Sequence, residues 1–316
     1  MKILILGAGG TGGYFGGRLI EAGRDVTFLV REKRAAQLAA QGLIVEHKGE
    51  RFTVPARTVL ASTVKPDYDA VILSCKAYDL DDAIATLRPA LGDATAIVPL
   101  LNGMTHLDTL DAAFGPARVL GGLCQIAGTL TPDGVVKSMM DAHLIAWGAR
   151  MPSQKAVADE LGRAFDGTRA DWRVSDNIIG EMWEKVAFLA TLASMTCLMR
   201  GSVGDILAAP GGAELLQRTF NANASIAEKA GHPISEAFRT RATRILATPG
   251  APLTASMLRD LESGGRVEAD PIVGFMLGKA REFGLDDGPL SIAYTHLKAY
   301  ESRRARESLP IQQAKP

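Results

Sequence analysis

The chain opens with a short apolar segment that runs directly into a glycine-rich loop. Residues 2–6 read KILIL and residues 7–12 read GAGGTG. Since the G-x-G-x-x-G spacing follows a strand pattern and begins a helical one, it predicts a strand, a tight turn and a helix that hold a pyrophosphate at the helix N-terminus. Taken alone, the motif also fits a plain turn. The expected cofactor contacts in the loop are Gly7, Gly9, Gly10 and Gly12.

The segments after this loop predict a parallel sheet. Apolar runs at residues 25–30, 69–75 and 95–101 alternate with helical patterns, as in a sheet that carries helices on both faces. The sequence TPDG at residues 131–134 is a turn signal and predicts an antiparallel hairpin at the far edge of the sheet. This part of the chain is therefore expected to form an α/β Rossmann-type domain with an antiparallel edge.

The second half of the chain has an almost wholly helical pattern. We place the change between residues 167 and 176, which gives a dinucleotide-binding domain over 1–168 and an all-α substrate domain over 169–316. The charged, proline-containing tail from about Arg303 is expected to be loose.

Composition limits the classes of partner. The 316 residues include 35 basic and 35 acidic side chains, so no overall field attracts nucleic acid or an anionic membrane. Because the sequence has no signal-like segment and no long apolar span, we expect a cytoplasmic protein with a small-molecule partner. The three cysteines are expected to be reduced structural thiols, and the five isolated histidines predict no metal site.

The residues after the second strand indicate which dinucleotide binds. Where NAD-binding domains usually have a carboxylate for the ribose hydroxyls, this chain has Arg31, with Lys33 and Arg34 following. A guanidinium suits the 2′-phosphate of NADPH. The competing interpretation is a solvated basic surface with Glu32 as the ribose ligand.

A lysine near the start of an apolar helix raises a second question. Residues 181–199 read EMWEKVAFLATLASMTCLM, and Lys185 lies at the edge of the expected buried face. It either extends its ammonium group to water along its apolar stem or donates a proton in catalysis. The helix by itself does not decide between these.

Taken together, several motifs resemble the ketopantoate reductase family over nearly the whole chain. They are the glycine loop and Arg31, CKAYD at 75–79, LLNGM at 100–104, EMWEKV at 181–186 and SMLRDLESGGRVEAD at 256–270. The resemblance implies an N-terminal NADPH-binding Rossmann domain, a helical C-terminal domain that closes over it, and reduction of 2-dehydropantoate to pantoate for pantothenate synthesis. The sequence is compatible with a homodimer but does not specify an oligomeric state.

The resemblance also implies individual roles. Lys185 matches the family's general acid, Glu268 the glutamate that positions substrate and lysine, and Ser256 a serine that binds the substrate carboxylate. Lys76 and Asn102 match residues on the nicotinamide side, and Asn102 also matches a substrate contact. Taken singly, each has a simpler interpretation: Asn102 as a turn residue, Ser256 as a helix cap and Glu268 as a surface acid.

The chain departs from the family where substrate asparagines are expected. Those positions hold Leu189, Ala193, Leu253 and Val273. Leu189 is among the expected substrate contacts. Polar groups that bind a hydroxyl discriminate strongly between substrates, so apolar side chains at these positions are expected to change which substrate is accepted. Two alternatives to ketopantoate reduction therefore remain open. One is a paralogous reductase for a bulkier or more apolar oxo compound. The other is a dinucleotide sensor without turnover, which would not need Lys185 and Glu268.

Overall fold

The architecture was analysed in a computed structural model, which describes residues 1–139 and 141–308. The chain divides into two compact units, one spanning residues 1–182 and the other beginning at Trp183. This division falls later than the boundary that we predict near residue 168. The strand Asp171–Val174 pairs with a strand of the first unit, so backbone hydrogen bonding extends that unit beyond the point where the sequence becomes helical.

The first unit contains twelve strands among the described residues. They are β1 Lys2–Leu6, β2 Asp25–Leu29, β3 Leu43–His47, β4 Glu50–Val54, β5 Arg57–Val59, β6 Ala70–Leu73, β7 Ala96–Pro99, β8 Gly121–Gln125, β9 Gly128–Leu130, β10 Val135–Ser138, β11 Leu144–Gly148 and β12 Asp171–Val174.

Twelve α-helices lie in the same described part of the chain. They are α1 Gly10–Glu21, α2 Glu32–Gln41, α3 Leu80–Leu87, α4 Thr105–Phe114, α5 Lys155–Phe165, α6 Ile178–Met199, α7 Val203–Ala208, α8 Gly212–Lys229, α9 Glu236–Leu246, α10 Ser256–Glu262, α11 Phe275–Glu282 and α12 Gly288–Ser308.

The largest sheet is parallel throughout, with strand order β5-β2-β1-β6-β7. Ile3, Leu4 and Ile5 of β1 are fully buried, as expected for a central strand covered on both faces. Because β2 lies on one side of β1 and β6 on the other, the strand order reverses at β1. In open α/β sheets this is where ligands bind.

The antiparallel pairs lie in two smaller sheets. The predicted hairpin exists, since β9 and β10 pair antiparallel, but it belongs to a second sheet of order β4-β3-β10-β9 rather than to the edge of the parallel sheet. The third sheet has the order β12-β11-β8. With a parallel Rossmann-type sheet, antiparallel strands beside it and a helical C-terminal unit, the predicted fold class is confirmed.

Most of helix α6 is buried, as its sequence predicts, although Met199 at its end is 46% exposed. Its polar Thr191 and Thr196 are fully buried, and each donates its hydroxyl to the carbonyl four residues earlier, at 2.9 and 2.7 Å respectively. These internal bonds satisfy hydroxyl groups that would otherwise be costly to bury.

The tail differs from its prediction where the structure describes it. Instead of becoming loose near Arg303, α12 continues to Ser308. Arg303 pairs with Glu307 at 2.8 Å, and Arg304 donates to the carbonyl oxygen of Gly264 at 2.7 Å. The rest of the predicted tail, residues 309–316, lies outside the described residues.

Candidate functional site

The glycine loop has a different steric requirement at each of three positions. Gly7 has φ +88°, a conformation that favours glycine. A Cβ atom on Gly12 would lie 2.7 Å from Ser74 Oγ and 3.0 Å from a methyl of Ile5, so a side chain there would separate α1 from the sheet. A Cβ atom on Gly9 would meet nothing within 4 Å. These are the turn, the close packing and the open approach that the motif predicts.

The open side of this loop faces a cavity of about 840 Å³. Residues following β1, β2, β5 and β6 line it, so it lies at the carboxyl ends of the strands where the strand order reverses. The first N–H groups of α1 have no acceptors within the helix, and the helix dipole favours an anion there. The volume of the cavity falls within the usual range of roughly 300 to 1,000 Å³ for small-molecule sites.

The structure brings the loop glycines and the predicted specificity residue together. Gly7, Gly9, Gly10, Gly12 and Arg31 all line the cavity. Arg31 is exposed and caps the start of α2 with its backbone. Within the described part of the chain, the guanidinium of Arg31 has no hydrogen bond or ion pair, so its donors are available to a ligand.

Arg34 occupies a different environment from Arg31. Its guanidinium donates from Nε and Nη2 to the carbonyl oxygen of Ala8, at 3.1 and 2.9 Å. Nη1 donates to Gly134 O at 3.1 Å and to Gln37 Oε1 at 2.5 Å. Burial lowers the pKa of Arg34 from its ordinary value, yet arginine stays charged in proteins. Most of its donors are therefore used within the protein.

Two other predicted cofactor contacts follow neighbouring strands of the same sheet. Lys76 comes two residues after Ser74, which lines the cavity, and precedes a 3₁₀ turn at Ala77–Asp79. Asn102 is half-buried in the turn after β7, next to Gly103 with φ +86°. Neither residue is among those that line the cavity, so the structure places both after the carboxyl ends of their strands without joining them to the loop.

Sequence reasoning missed part of the cavity wall. Leu60, Ala61 and Ser62 follow β5, and Leu130 ends β9. Strand β5 has only three residues, which is too short for a periodic signal. Ser74 could have been found, because it lies near the carboxyl end of the core strand predicted at residues 69–75.

In the second unit, Lys185 is half-buried, and the two residues that precede it have defined contacts. The ring of Trp183 stacks on His232 at 5.6 Å and contacts Phe275 at 5.4 Å between ring centroids. Glu184 accepts from the backbone N–H and the hydroxyl of Ser235, at 2.9 and 2.5 Å. The helix turn that carries Lys185 is therefore held in place by its neighbours Trp183 and Glu184.

The environments of Glu268 and Ser256 exclude their simpler interpretations. Glu268 is 4% exposed, so it is not a surface acid. It precedes a π-helical turn at Asp270–Gly274, a feature that is frequent at functional sites. Ser256 is the first residue of α10, whose capping residue is Ala255 and has no side-chain cap bond, so Ser256 is not the helix cap.

The four apolar departures differ in exposure. Ala193 and Val273 are fully buried, whereas Leu189 and Leu253 are half-buried. At the first two positions an added amide would lie in the core. Leu189 is only partly buried, so a polar side chain of similar size costs less there.

The cysteines and the metal-ligand types form no further site. Burial raises the pKa of Cys197 to about 12, and Cys75 lines the cavity beside the glycine loop. Among residues 1–139 and 141–308, no group of three or more histidine, cysteine, aspartate or glutamate side chains could hold a metal ion. In the same described residues, no helix combines the length and apolarity needed to cross a bilayer.

Known proteins similar to this chain were identified by sequence. The family model described as "Ketopantoate reductase PanE/ApbA" matches residues 3–150, and the model of the C-terminal part of the same family matches residues 177–301. The "Uncharacterized oxidoreductase YkpB" of Bacillus subtilis is 34% identical over 96% of this chain and all of its own length. A 2-dehydropantoate 2-reductase of Mesorhizobium japonicum is 28% identical over 86% of this chain and 89% of its own.

Solved structures have the same fold. A PanE/ApbA family ketopantoate reductase from Ralstonia eutropha has a TM-score of 0.85 and 22% identity, covering 96% of this chain and 100% of its own. D-mandelate dehydrogenase with NADH and anilino(oxo)acetate has a TM-score of 0.85 and 20% identity with the same coverage. On the two family-model matches and the B. subtilis relative, this chain belongs to the ketopantoate reductase family of oxidoreductases.

Proposed function

We propose that the protein is an NADPH-dependent reductase that converts a 2-oxo acid into a 2-hydroxy acid, with 2-dehydropantoate as the family's substrate. The observation that carries the proposal is the cavity in which the open face of Gly9 and the unengaged guanidinium of Arg31 occur together. The loop suits a pyrophosphate and the guanidinium suits the 2′-phosphate that distinguishes NADPH from NADH.

The bound dinucleotide would supply a hydride to the keto carbon. In this proposal Gly7, Gly9, Gly10 and Gly12 bind the pyrophosphate through backbone N–H groups, and Arg31 binds the 2′-phosphate. Lys76 and Asn102 line the nicotinamide side. The cavity at the carboxyl ends of β1, β2 and β6 supports the assignments of the glycines and Arg31, whereas those of Lys76 and Asn102 rest on the resemblance of their motifs to the family.

The proton for the substrate oxygen is assigned to Lys185. Charge grows on the ketone oxygen as the carbon is reduced, and a lysine ammonium both stabilises that charge and donates the proton. Glu268 positions the lysine and the substrate, and Ser256 binds the substrate carboxylate. The near-complete burial of Glu268 supports its part, because an acid is rarely buried without a partner.

A second candidate is a reductase for a bulkier or more apolar oxo substrate. The apolar side chains at Leu189, Ala193 and Val273 favour it, since they offer no hydrogen bond to a substrate hydroxyl. The fold shared with D-mandelate dehydrogenase, whose structure contains anilino(oxo)acetate, is consistent with this choice. A dinucleotide sensor is less favoured, because it would not require Lys185 and a buried Glu268.

Oxidation of NADPH followed with a panel of 2-oxo acids tests the proposal. We expect turnover with at least one of them. Comparing kcat/KM for 2-dehydropantoate with kcat/KM for apolar 2-oxo acids separates the two enzymatic candidates. NADPH binding without turnover on any of these compounds would favour the sensor. The proposal extends to a cytoplasmic homodimer, which fractionation and light scattering test directly.

A further inference from the structure

The side chain of Arg34 connects the glycine loop to a part of the chain that is distant in sequence. Two of its nitrogens donate to Ala8 O, inside the loop. A third donates to Gly134 O, in the turn between β9 and β10. Ala8 is 26 residues away from Arg34 and Gly134 is 100 residues away. One guanidinium thus ties the loop to the β9–β10 hairpin.

This contact determines where the N–H of Gly9 points. The peptide between Ala8 and Gly9 is planar and trans, so its N–H points opposite to its carbonyl. With Ala8 O held by Arg34, the N–H of Gly9 is directed away from the guanidinium. Since Gly9 lines the cavity, fixing one end of this peptide orients the donor at its other end.

A close backbone approach supports the same part of the loop. A Cβ atom on Gly128, at the start of β9, would lie 2.6 Å from Gly10 O. The hairpin therefore contacts the loop directly at Gly10 and through Arg34 at Ala8. The loop is therefore held at Ala8 and at Gly10, and Arg34 itself forms part of the cavity wall.

We propose that Arg34 is a positioning residue that holds the glycine loop in its dinucleotide-binding shape, and that it does not read the 2′-phosphate. The hydrogen bonds of Arg34 support this assignment, because four of its five N–H donors are bonded to Ala8, Gly134 and Gln37. Arg31 retains its donors for the ligand. The ligand in this inference is the dinucleotide of the proposed function, on which the inference rests.

The chain provides a matched control in Arg24. This arginine also holds backbone carbonyls of the first unit, with Nε on Ala164 O at 2.9 Å and Nη2 on Asp166 O at 2.5 Å. It is half-buried like Arg34, but its contacts are outside the glycine loop. Arg24→Ala therefore reproduces the loss of a backbone-binding arginine without releasing the loop.

The experiment compares the wild type with Arg34→Ala, Arg34→Lys and Arg24→Ala. The dissociation constants of NADPH and NADH are measured by fluorescence, and amide hydrogen exchange of a peptide covering residues 7–14 is measured without ligand. We expect both Arg34 variants to bind both dinucleotides weaker by about the same factor, roughly ten- to a hundredfold, and to exchange faster in this peptide. Lysine is expected to fail because a point charge does not reproduce the fork. Arg24→Ala should match the wild type in both readouts.

Three results would overturn the inference. One is a loss confined to NADPH that Arg34→Lys restores, because Arg34 would then bind the phosphate as a charge. Another is unchanged affinity and exchange in Arg34→Ala. The third is an equal loss in Arg24→Ala, which would show that general destabilisation is the cause. If the wild type bound neither dinucleotide, the proposed function would fail, while the exchange measurement would still support or overturn the holding of the loop by Arg34.

Discussion

The backbones of Gly10 and Gly128 pass so close that a Cβ atom on Gly128 would lie 2.6 Å from the carbonyl oxygen of Gly10. Gly10→Ala places a methyl group against the Gly128 backbone, which cannot rotate away as a side chain can. We expect it to lower the free energy of unfolding by roughly 1 to 3 kcal/mol.

Gly9→Ala should behave in the opposite way in the ligand-free protein. Its methyl group enters open space and its φ of −90° is accessible to alanine, so stability should be unchanged or slightly raised. Dinucleotide affinity should fall, because the methyl occupies the approach of the pyrophosphate. Melting curves and NADPH titrations of both variants check this, and a Gly9→Ala protein with wild-type affinity would contradict the assignment of the loop.

Arg31→Ala is expected to weaken NADPH binding roughly ten- to a hundredfold and NADH binding little. Only NADPH offers a phosphate to the guanidinium, and a hydrogen bond to a charged group contributes about 1.5 to 3 kcal/mol. Titration with both cofactors provides the measurement. Equal losses for the two would exclude Arg31 as the specificity residue. Lys65→Ala, which removes an exposed lysine that does not line the cavity, is the control.

Lys185→Ala should lower kcat by about a hundredfold or more with NADPH binding retained, since general acid catalysis contributes on that scale. Glu268→Gln should also lower kcat without loss of cofactor. Steady-state kinetics and cofactor titration separate the two effects. Lys229→Ala removes an exposed lysine from α8 of the same unit and should have no effect. A lysine that merely extends to solvent would give a Lys185→Ala enzyme with nearly wild-type kcat.

Leu189→Asn tests the substrate assignment. If Leu189 contacts substrate, the amide should raise kcat/KM for 2-dehydropantoate relative to an analogue lacking its hydroxyl. Because Leu189 is half-buried, we expect little loss of stability. Leu198→Asn, at another half-buried position of α6, controls for the new amide. A Leu189→Asn protein that is destabilised by about 1 to 3 kcal/mol with unchanged preference would place Leu189 in the core and remove the substrate inference.

The burial of His47 leads us to expect that the protein loses stability in mild acid. Its ring is 6% exposed and lies 4.7 Å from that of His143 between centroids. Burial is the main reason that the pKa of His47 is lowered from its ordinary 6.5. Repulsion from His143, Arg18 and Lys48 lowers this pKa further, and attraction by Asp141 opposes the shift. The unfolded chain therefore takes up a proton near pH 6.5 that the folded protein resists, so this contribution to stability is complete above that pH and declines as the pH falls below it.

Urea unfolding of the wild type and of His47→Gln at pH 7.5 and 5.5 measures this contribution. The glutamine variant should lose less stability between the two pH values than the wild type. An identical loss in both proteins would show that His47 does not cause the pH dependence.

Elements whose determining residues lie close together in the chain could be predicted from local sequence patterns. The glycine loop was predictable because its turn, approach and packing requirements fall within six neighbouring residues, Gly7 to Gly12. The β9–β10 hairpin was equally local, and the buried face of α6 follows from helical periodicity. The sheet to which the hairpin belongs was not predictable, because its neighbour β3 is distant in sequence.

By itself, the sequence determined the fold class and the position of the glycine loop, because strand, turn and helix preferences act between near neighbours. Only the tertiary structure decided which of Arg31 and Arg34 has donors available for a ligand, since the partners of Arg34 at Ala8 and Gly134 are adjacent only after folding. The burial of Glu268 and the helical course of residues 303–308 were decided in the same way. The same residue type can bind a ligand or hold a backbone, and the difference depends on long-range contacts that no local pattern encodes.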